Sequence, residues 1–276
     1  MVPADLHVHT TYSDGTLTPE EVIHECLWHG VDTVAITDHD SVDGVPLAEE
    51  AGAKIGIRVI AGTELTAYEG AQEIHIIGLF IDTQNAKLIE VLKRSRDERR
   101  LRVFEIVRRL GELGIEITAD EVFKIAGDGS PGRPHVARTL KNHGHVQSIQ
   151  DAFRFYIGNE RPANVAKYKM AVPQAVAAVH DAGGASVVAH PGATLSDATV
   201  RDLIDDGVDA IEVFHPLHSY TKEQKYLQMA EDLGSLVSGG SDSHGIAREW
   251  SRIGVVKVAA EFVDQLQERA MSRRGE

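Results

Sequence analysis

Cysteine is almost missing from this chain: 276 residues contain one, Cys26. A single thiol excludes an internal disulfide framework and fits a reducing compartment. Set between Glu25 and Leu27 in a helical pattern, it reads as a buried structural thiol. No apolar run approaches the roughly 20 residues that a membrane-spanning helix needs. The N-terminus carries no basic stretch followed by an apolar one, so no secretory signal is expected. Positive charge is in deficit, with 28 Lys and Arg against 42 Asp and Glu and a formal net charge of −14. That balance does not favour general attraction to nucleic acid or membrane surfaces. An anionic substrate would need a local positive site. Internal repeats and low-complexity tracts are also missing. The expectation is a cytoplasmic protein with no membrane association and no obligate protein partner.

What is present is an ordinary globular composition, 42% hydrophobic and 25% charged, long enough to bury a sizeable core. Histidine is the exception, at 14 residues. Many of these stand beside Asp, Gly or Pro at the ends of strand-like runs. In the first half short strands alternate with helices. Asp5–His9 reads as a strand. Thr18-Pro19-Glu20-Glu21 starts a helix with a capping residue, Pro at the first position and Glu closing the box. A strand over Thr33–Thr37, a helix over Pro46–Lys54, a strand from Arg58 to about Gly62 and a strand over Ile74–Phe80 follow. From about Leu88 to Lys167 the periodicity is helical, with a long connecting helix and a small helical insert. The alternation then resumes through strands at Ala185–Ala189, Ala210–Phe214 and Leu236–Ser238, and a closing strand is expected near Ile253–Lys257. This rhythm predicts a parallel α/β architecture with function at the C-terminal strand ends.

At those ends stand His7, His9, Asp14, His39, Glu64, His75, His190, Asp242 and His244. His75 fits least well, because its strand continues past it. Two histidines at i,i+2 on a strand share a face. A lone histidine at a strand end is more often a structural hydrogen-bonder, but nine ligand-type groups outweigh that reading. Imidazole with carboxylate suits zinc, manganese or iron rather than calcium or magnesium. At about three protein ligands per ion, nine groups could hold two or three metals.

The run Asp5-Leu6-His7-Val8-His9, Ser13-Asp14-Gly15, Thr37-Asp38-His39-Asp40, Gly62-Thr63-Glu64, His75, Ala189-His190-Pro191 and Gly240-Ser241-Asp242-Ser243-His244 resembles the PHP (polymerase and histidinol phosphatase) metal-dependent phosphoesterases. The match extends from Ala4 to His244 with every ligand position filled. The resemblance implies a distorted seven-stranded (β/α)7 TIM-like barrel holding three divalent metal ions (Mn2+, Zn2+ or Fe2+). It places the barrel over 1–98 and 166–276 and a helical insertion over 99–165. Position by position, His7, His9, Glu64 and Asp242 would bind one ion, and Glu64 would bridge to a second held by His75 and His190. Asp14, His39 and His244 would bind the third. Three such ions against three carboxylates leave a formal charge of roughly +3, which attracts phosphate. The implied chemistry is phosphate-ester hydrolysis by a metal-bridging hydroxide.

Within the insert, Ser130-Pro131-Gly132-Arg133-Pro134-His135, Asn159-Glu160-Arg161-Pro162-Ala163 and Lys167-Tyr168-Lys169 resemble the 3′,5′-nucleoside bisphosphate phosphatase and RNase AM subgroup. Its members remove a 3′-phosphate, and some trim the 5′ ends of short RNA. Arg133 and Arg161 would clamp a second phosphate through bidentate hydrogen bonds, with His135 and Lys169 as further substrate contacts. The competing reading pairs these arginines with local acids such as Asp128 and Glu160. One departure stands: the subgroup has Tyr after Pro-Ala where this chain has Asn164. His215 and His218 are candidates for phosphate contact or leaving-group protonation, or else loop hydrogen-bonders. His24, His29, His143, His145 and His180 read as structural or exposed. The basic run from Lys93 through Arg99 to Arg102 could guide a polynucleotide towards the site, but its charges fall on several helix faces and are mixed with Asp97, Glu98 and Glu105, which favours a solvated helix. Two alternatives remain open, a histidinol phosphate phosphatase or other small phosphomonoesterase, and an inactive metal-binding interaction module.

Overall fold

A computed structural model describes residues 3–127, 129–245 and 252–276 of the chain. Asp128 lies outside them. Strands β1 (Ala4–Val8), β2 (Thr33–Ile36) and β3 (Arg58–Glu69) pair in parallel. Helices α1 (Pro19–His29) and α2 (Val45–Ile55) cross between them. The expected capping box at α1 is present, with Thr18 and Glu21 each satisfying the other's backbone N–H.

β3 then turns back on itself. Gly70, at φ 58°, supplies the left-handed residue of a tight hairpin, and β4 (Gln72–Leu79) returns antiparallel. The wholly parallel sheet expected from the sequence is thus interrupted at one strand. β4 pairs antiparallel with β6 (Ala185–Val188), after which β7 (Ala210–Phe214) and β8 (Leu236–Gly239) continue in parallel. A two-residue strand, β5 (Met170–Ala171), pairs with β3 off this path, making eight strands rather than seven. Among the described residues the sheet does not close as a continuous ladder. The segment after β8 meets β1 through an isolated parallel bridge, Ser243 with Val8. The closing strand expected near Ile253–Lys257 is likewise reduced to a single antiparallel bridge, Ala4 with Val258.

Alternation sorts the strand residues between two apolar layers. Val34, Ile36, Val188, Ile211 and Val213 pack outward with the surrounding helices. Ala35, Ile60, Ile77, Leu79, Val187 and Ala210 form a second layer, joined by Val263 and Leu266 of the last helix. Each fully buried Val, Leu or Ile contributes roughly 1.5–3 kcal/mol. Continuing the inner alternation leads to the polar end of the sheet: Ile60, Gly62, Glu64 on β3, and Ala210, Glu212 on β7. On β4 the same face runs Leu79, Ile77, His75. Because β4 runs backwards, His75 reaches that end from the start of its strand, which explains why its strand continues past it.

Helix α3 (Ala86–Glu112) has 27 residues and is about 40 Å long. Asn85 caps it by accepting from the Lys87 and Leu88 N–H groups. Its first half buries Leu88 and Leu92 in the sheet's apolar layer. Its second half buries Val103, Ile106 and Leu110 in a separate cluster with α4 (Ala119–Ala126), α5 (Arg133–Asn142) and residues on to Ala163. A short helix α6 (Ile149–Ala152) and a π-helical turn (Phe153–Ile157) complete this helical region. Helices α7 (Val172–Asp181), α8 (Pro191–Thr194), α9 (Asp197–Asp205), α10 (Tyr220–Leu233) and α11 (Ala260–Arg274) belong to the second half of the α/β body. Among the described residues, no helix is long and apolar enough to cross a membrane.

Candidate metal centre

All nine histidine and carboxylate candidates converge at the polar end of the sheet. Glu64 is the hub, almost wholly buried, and its two oxygens face different partners. Oε1 lies 2.8 Å from His75 Nδ1 and 3.2 Å from His190 Nε2. Oε2 lies 3.0 Å from His39 Nδ1, 3.3 Å from His9 Nε2 and 3.5 Å from His7 Nε2. Asp242 Oδ1 approaches His9 Nε2 at 3.3 Å and His7 Nε2 at 3.5 Å. Asp14 Oδ1 lies 3.2 Å from His244 Nε2 and 3.9 Å from His39 Nε2. Ligand atoms gather within 4.8 Å in three groups: His9, Asp14, His39 and His244; His7, His9 and Asp242; and His39, Glu64 and His75.

Hydrogen bonding on the far side of two of the rings orients them. His7 Nδ1 meets Glu212 Oε1 at 2.9 Å, and His244 Nδ1 meets the Asp242 carbonyl at 2.9 Å. Both acceptors suit an Nδ1 proton, which turns each Nε2 inward towards the cluster. The His7 and His9 Nε2 atoms are 3.1 Å apart. Asp14 Oδ1, His39 Nδ1 and His244 Nε2 are buried with no hydrogen-bond partner among the described residues. Buried lone pairs directed at one another are costly. A divalent cation between them would satisfy all of them, so this donor set fits the metals that the sequence implies.

The local electrostatics agree. Burial opposes charge on Glu64, but His39, His75 and His7 outweigh it and hold the carboxyl well below its usual range. Asp14 and Asp242 behave likewise, with His244 and His7 respectively as the leading offset to burial. Burial pushes His39 down to about 4, against the pull of Glu64 and Asp14. Backbone strain collects here too: His190 has φ 33° and Asp242 φ 50°, both left-handed without being glycine.

Sequence reasoning missed the supporting carboxylates. Glu212, wholly buried on β7, accepts from His7 Nδ1 and at 2.5 Å from the His190 backbone N–H. A single glutamate in the apolar strand Ala-Ile-Glu-Val-Phe was the available signal. Glu73 Oε1 sits 3.0 Å from His75 Nε2 and 2.5 Å from Lys167 Nζ. Asp38, on the loop after β2, accepts from Thr10 N, Thr10 Oγ1 and Ser13 Oγ at 2.6–2.7 Å, pinning the loop that carries Asp14. With Glu212 and Glu73 added, the local charge is less positive than the three-carboxylate count suggests.

Beside the cluster is a cavity of about 230 Å³, lined by Asp14, His39 and His75 on one side and by Arg99, Arg102, Arg133 and Lys167 on the other. Arg99 and Arg102 therefore correct the solvated-helix reading. They lie one turn apart on α3, midway between its two apolar halves, and face this cavity. Arg99 is anchored to Asp40 Oδ2 at 2.6 Å. Arg102 Nε donates to the Val165 carbonyl at 2.8 Å. Burial, with Arg133 and Arg99 nearby, brings the Arg102 guanidinium down to about 10; burial brings Lys167 down to about 8 against the pull of Glu73. Like-charge crowding of this kind, with Glu73 and Asp40 as the nearby acids, favours an anion in the cavity.

The remaining expected substrate contacts divide. Arg133 lines the cavity, with Nη1 donating to Asn159 Oδ1 at 3.0 Å and the guanidinium over the Phe153 ring. Arg161 is exposed and is not among the residues lining it. His135 is buried and accepts from Gly132 N–H at 3.0 Å, so its ring serves the start of α5. Lys169 is exposed and reaches the Gly70 carbonyl at 3.4 Å, over the Tyr68 ring. His218 is held by two backbone groups, Val213 O at 2.8 Å and Gly192 N–H at 3.0 Å, which fixes it as a neutral loop bonder. His215 differs. Its Nδ1 accepts from Leu217 N–H at 3.1 Å, and its buried Nε2, without a hydrogen-bond partner among the described residues, lies 3.7 Å from Asp242 Oδ2.

Comparison with known proteins gives a consistent set. A family model for the PHP domain matches residues 5–155. A 5′-3′ exoribonuclease of Haemophilus influenzae is 34% identical over 87% of this chain and 89% of its own. A 3′,5′-nucleoside bisphosphate phosphatase of Chromobacterium violaceum is 33% identical over 88% of each chain. Among solved structures, a predicted metal-dependent phosphoesterase from Bifidobacterium adolescentis superposes with a TM-score of 0.89 at 30% identity, covering 96% of both chains.

Proposed function

The chain belongs to the PHP domain family, and on that premise we propose that it is a metal-dependent phosphatase that removes the 3′-phosphate from 3′,5′-nucleoside bisphosphates and also acts on short RNA from its 5′ end. The observation that carries this reading is the adjacency of two features, a carboxylate, Glu64, divided between two sets of histidines, and a cavity walled by four cations. The first suits a scissile phosphate and the second suits another phosphate beside it. The names of the Chromobacterium and Haemophilus relatives supply the nucleotide and RNA classes.

Three divalent ions are assigned as the sequence suggests: His7, His9, Glu64 and Asp242 for one; Glu64, His75 and His190 for the second; Asp14, His39 and His244 for the third. Manganese, zinc and iron all suit these donors. When bound, such ions supply Lewis acidity towards phosphoryl oxygens and lower the pKa of water. The protein's own groups do the rest. Glu212 keeps the His7 Nε2 lone pair available, and Glu73 orients His75. Arg99, Arg102, Arg133 and Lys167 bind the non-reacting phosphate and so position the nucleotide. His215 holds its Nε2 proton next to Asp242, close to where a leaving oxygen must accept one. We further read the sheet as a distorted barrel with its seam between β8 and β1, the helical region as an insertion over 99–165, and the cytoplasm as the compartment.

The test is phosphate release by manganese-loaded protein from adenosine 3′,5′-bisphosphate, AMP and histidinol phosphate, and nucleotide release from a 5′-phosphorylated short RNA. Activity on the bisphosphate with little on AMP is expected. Activity confined to histidinol phosphate would overturn the substrate assignment, and none on any substrate would leave an inactive metal-binding module.

A further inference from the structure

Asp40 stands beside the cation-walled cavity and, among the described residues, pairs with Arg99 rather than with any histidine of the cluster. It follows His39 directly, is 1% exposed and takes a left-handed backbone at φ 51°. Its N–H donates to the Glu64 carbonyl at 3.0 Å, and the Glu64 N–H donates to the Asp38 carbonyl at 3.1 Å, which locks this loop to the metal-bearing part of β3. Oδ2 accepts from Arg99 Nε at 2.6 Å, whereas Oδ1 is buried without a hydrogen-bond partner among the described residues. A left-handed residue other than glycine and a half-satisfied buried carboxylate are both costly. Such costs persist where the surrounding structure puts them to use.

What they hold in place is Arg99. Its guanidinium is gripped at two corners, Nε by Asp40 and Nη2 by Thr66 Oγ1 at 3.3 Å. Asp40 comes one residue after the ligand His39, and Thr66 two after the ligand Glu64. His39 and Glu64 are themselves joined by an isolated parallel bridge. The third corner, Nη1, points at the start of α5, 3.6 Å from where a Cβ on Gly132 would stand. Gly132 and Ser130 line the same cavity, and the Ser130 Oγ is buried with no hydrogen-bond partner among the described residues. The Asp40–Arg99 pair is thus a tie between the strand ends that carry the metal ligands and the helix that carries the cations.

Charge alone argues against an acid here. A carboxylate among Arg99, Arg102, Arg133 and Lys167 repels the phosphate that those cations attract. Geometry argues for it. An arginine anchored in advance has already lost the rotamer freedom that a phosphate would otherwise have to take from it. We propose that Asp40 is a positioning residue for the non-reacting phosphate, holding the Arg99 guanidinium at a fixed distance from the metal ligands so that the phosphate meets a preset donor. This assignment rests on the phosphatase reading above. Burial works against the charge on Arg99, and Asp40 outweighs it, raising the guanidinium pKa above its ordinary value.

The test is a double-mutant cycle on binding of adenosine 3′,5′-bisphosphate, measured by calorimetry in EDTA so that no turnover occurs. Asp40→Asn removes the charge, keeps the shape and suits the left-handed backbone. It should weaken binding about tenfold, although loss of a negative charge by itself would strengthen it. Arg99→Ala should weaken binding further, and adding Asp40→Asn to it should cost nothing more. Thr66→Val, which removes the other anchor, should weaken binding about threefold and likewise lose its effect in the Arg99→Ala background. With manganese-loaded protein, Asp40→Asn should raise KM by the same factor as Kd, with kcat within about twofold and manganese content by elemental analysis retained. Circular dichroism confirms folding, and if Asp40→Asn does not fold, the Thr66→Val cycle decides in the same way. Tighter or unchanged binding by the anchor variants, or an equal loss with and without Arg99, would overturn the proposal. Loss of manganese from Asp40→Asn would also overturn it, by placing the residue's role at His39. Failure of loaded wild type to release phosphate from the bisphosphate would instead overturn the phosphatase reading, while the binding cycle would still decide the role of Asp40.

Discussion

Glu212 decides how well one residue can tune another. Its carboxylate takes the Nδ1 proton of His7 and the backbone N–H of His190, and both of those residues reach Glu64. Glu212→Gln removes the charge and one acceptor without changing shape. Metal affinity should fall by about 10–100-fold, read by competition with a fluorescent chelator; an unchanged affinity would remove Glu212 from its supporting role. Arg102 acts at the same scale on the substrate. Arg102→Ala should raise KM for the bisphosphate roughly thirtyfold, about 2 kcal/mol for a lost charge-assisted bond, and barely alter KM for an aryl phosphate. An equal rise for both would show that it does not contact the second phosphate. Eight of the nine ligand candidates were legible in the sequence because each stands in a short motif, while His75 stands alone inside an apolar strand. Glu212 was not, because a lone acid inside an apolar strand has no spacing to read. Arg99 and Arg102 were obscured by the acids interspersed with them.

At the scale of elements, α11 shows how the sheet is braced away from the site. Asp209, just before β7 and nearly buried, accepts from Ser186 N–H, Ser186 Oγ, His180, Arg269 and Arg273, tying the last helix to β6. Burial would raise its pKa, but His180 and Arg273 prevail and hold it below the ordinary value. A depressed carboxylate stabilises fully above its unfolded pKa and loses that stabilisation as pH falls through the folded one. Asp209→Asn should therefore cost about 3 kcal/mol near pH 7, and the gap in Tm from wild type should close as the pH falls below about 4. A gap independent of pH would contradict this account. Element positions were largely legible from periodicity and caps, and α1 and β7 fall where expected. The reversal of β4 was not, although Glu69-Gly70-Ala71-Gln72 carried its turn signal. Helix alternation suggested parallel strands throughout, and only tertiary pairing shows that one hairpin breaks the pattern.

For the whole molecule, the architecture divides the work. The sheet gathers the metal ligands from strands distant in sequence, and α3 crosses from its apolar layer into the cluster of the helical region. The midpoint of that helix supplies the cations facing the site. Weakening the second cluster should therefore loosen substrate binding and spare the metals. Leu110→Ala, wholly buried in it, should cost about 3 kcal/mol, raise KM for the bisphosphate and leave metal content by elemental analysis unchanged; lost metal would mean that the two parts do not fold independently. The central claim is that one phosphate is held for reaction while a second is held for recognition. The most direct measurement is the ratio of kcat/KM for adenosine 3′,5′-bisphosphate to that for adenosine 3′-monophosphate, with the metal-loaded protein. Contact with the Arg99, Arg102, Arg133 and Lys167 wall predicts a ratio above about 100, from two or more charge-assisted bonds. A ratio near one would show that the wall does not bind the second phosphate, and the account would fail.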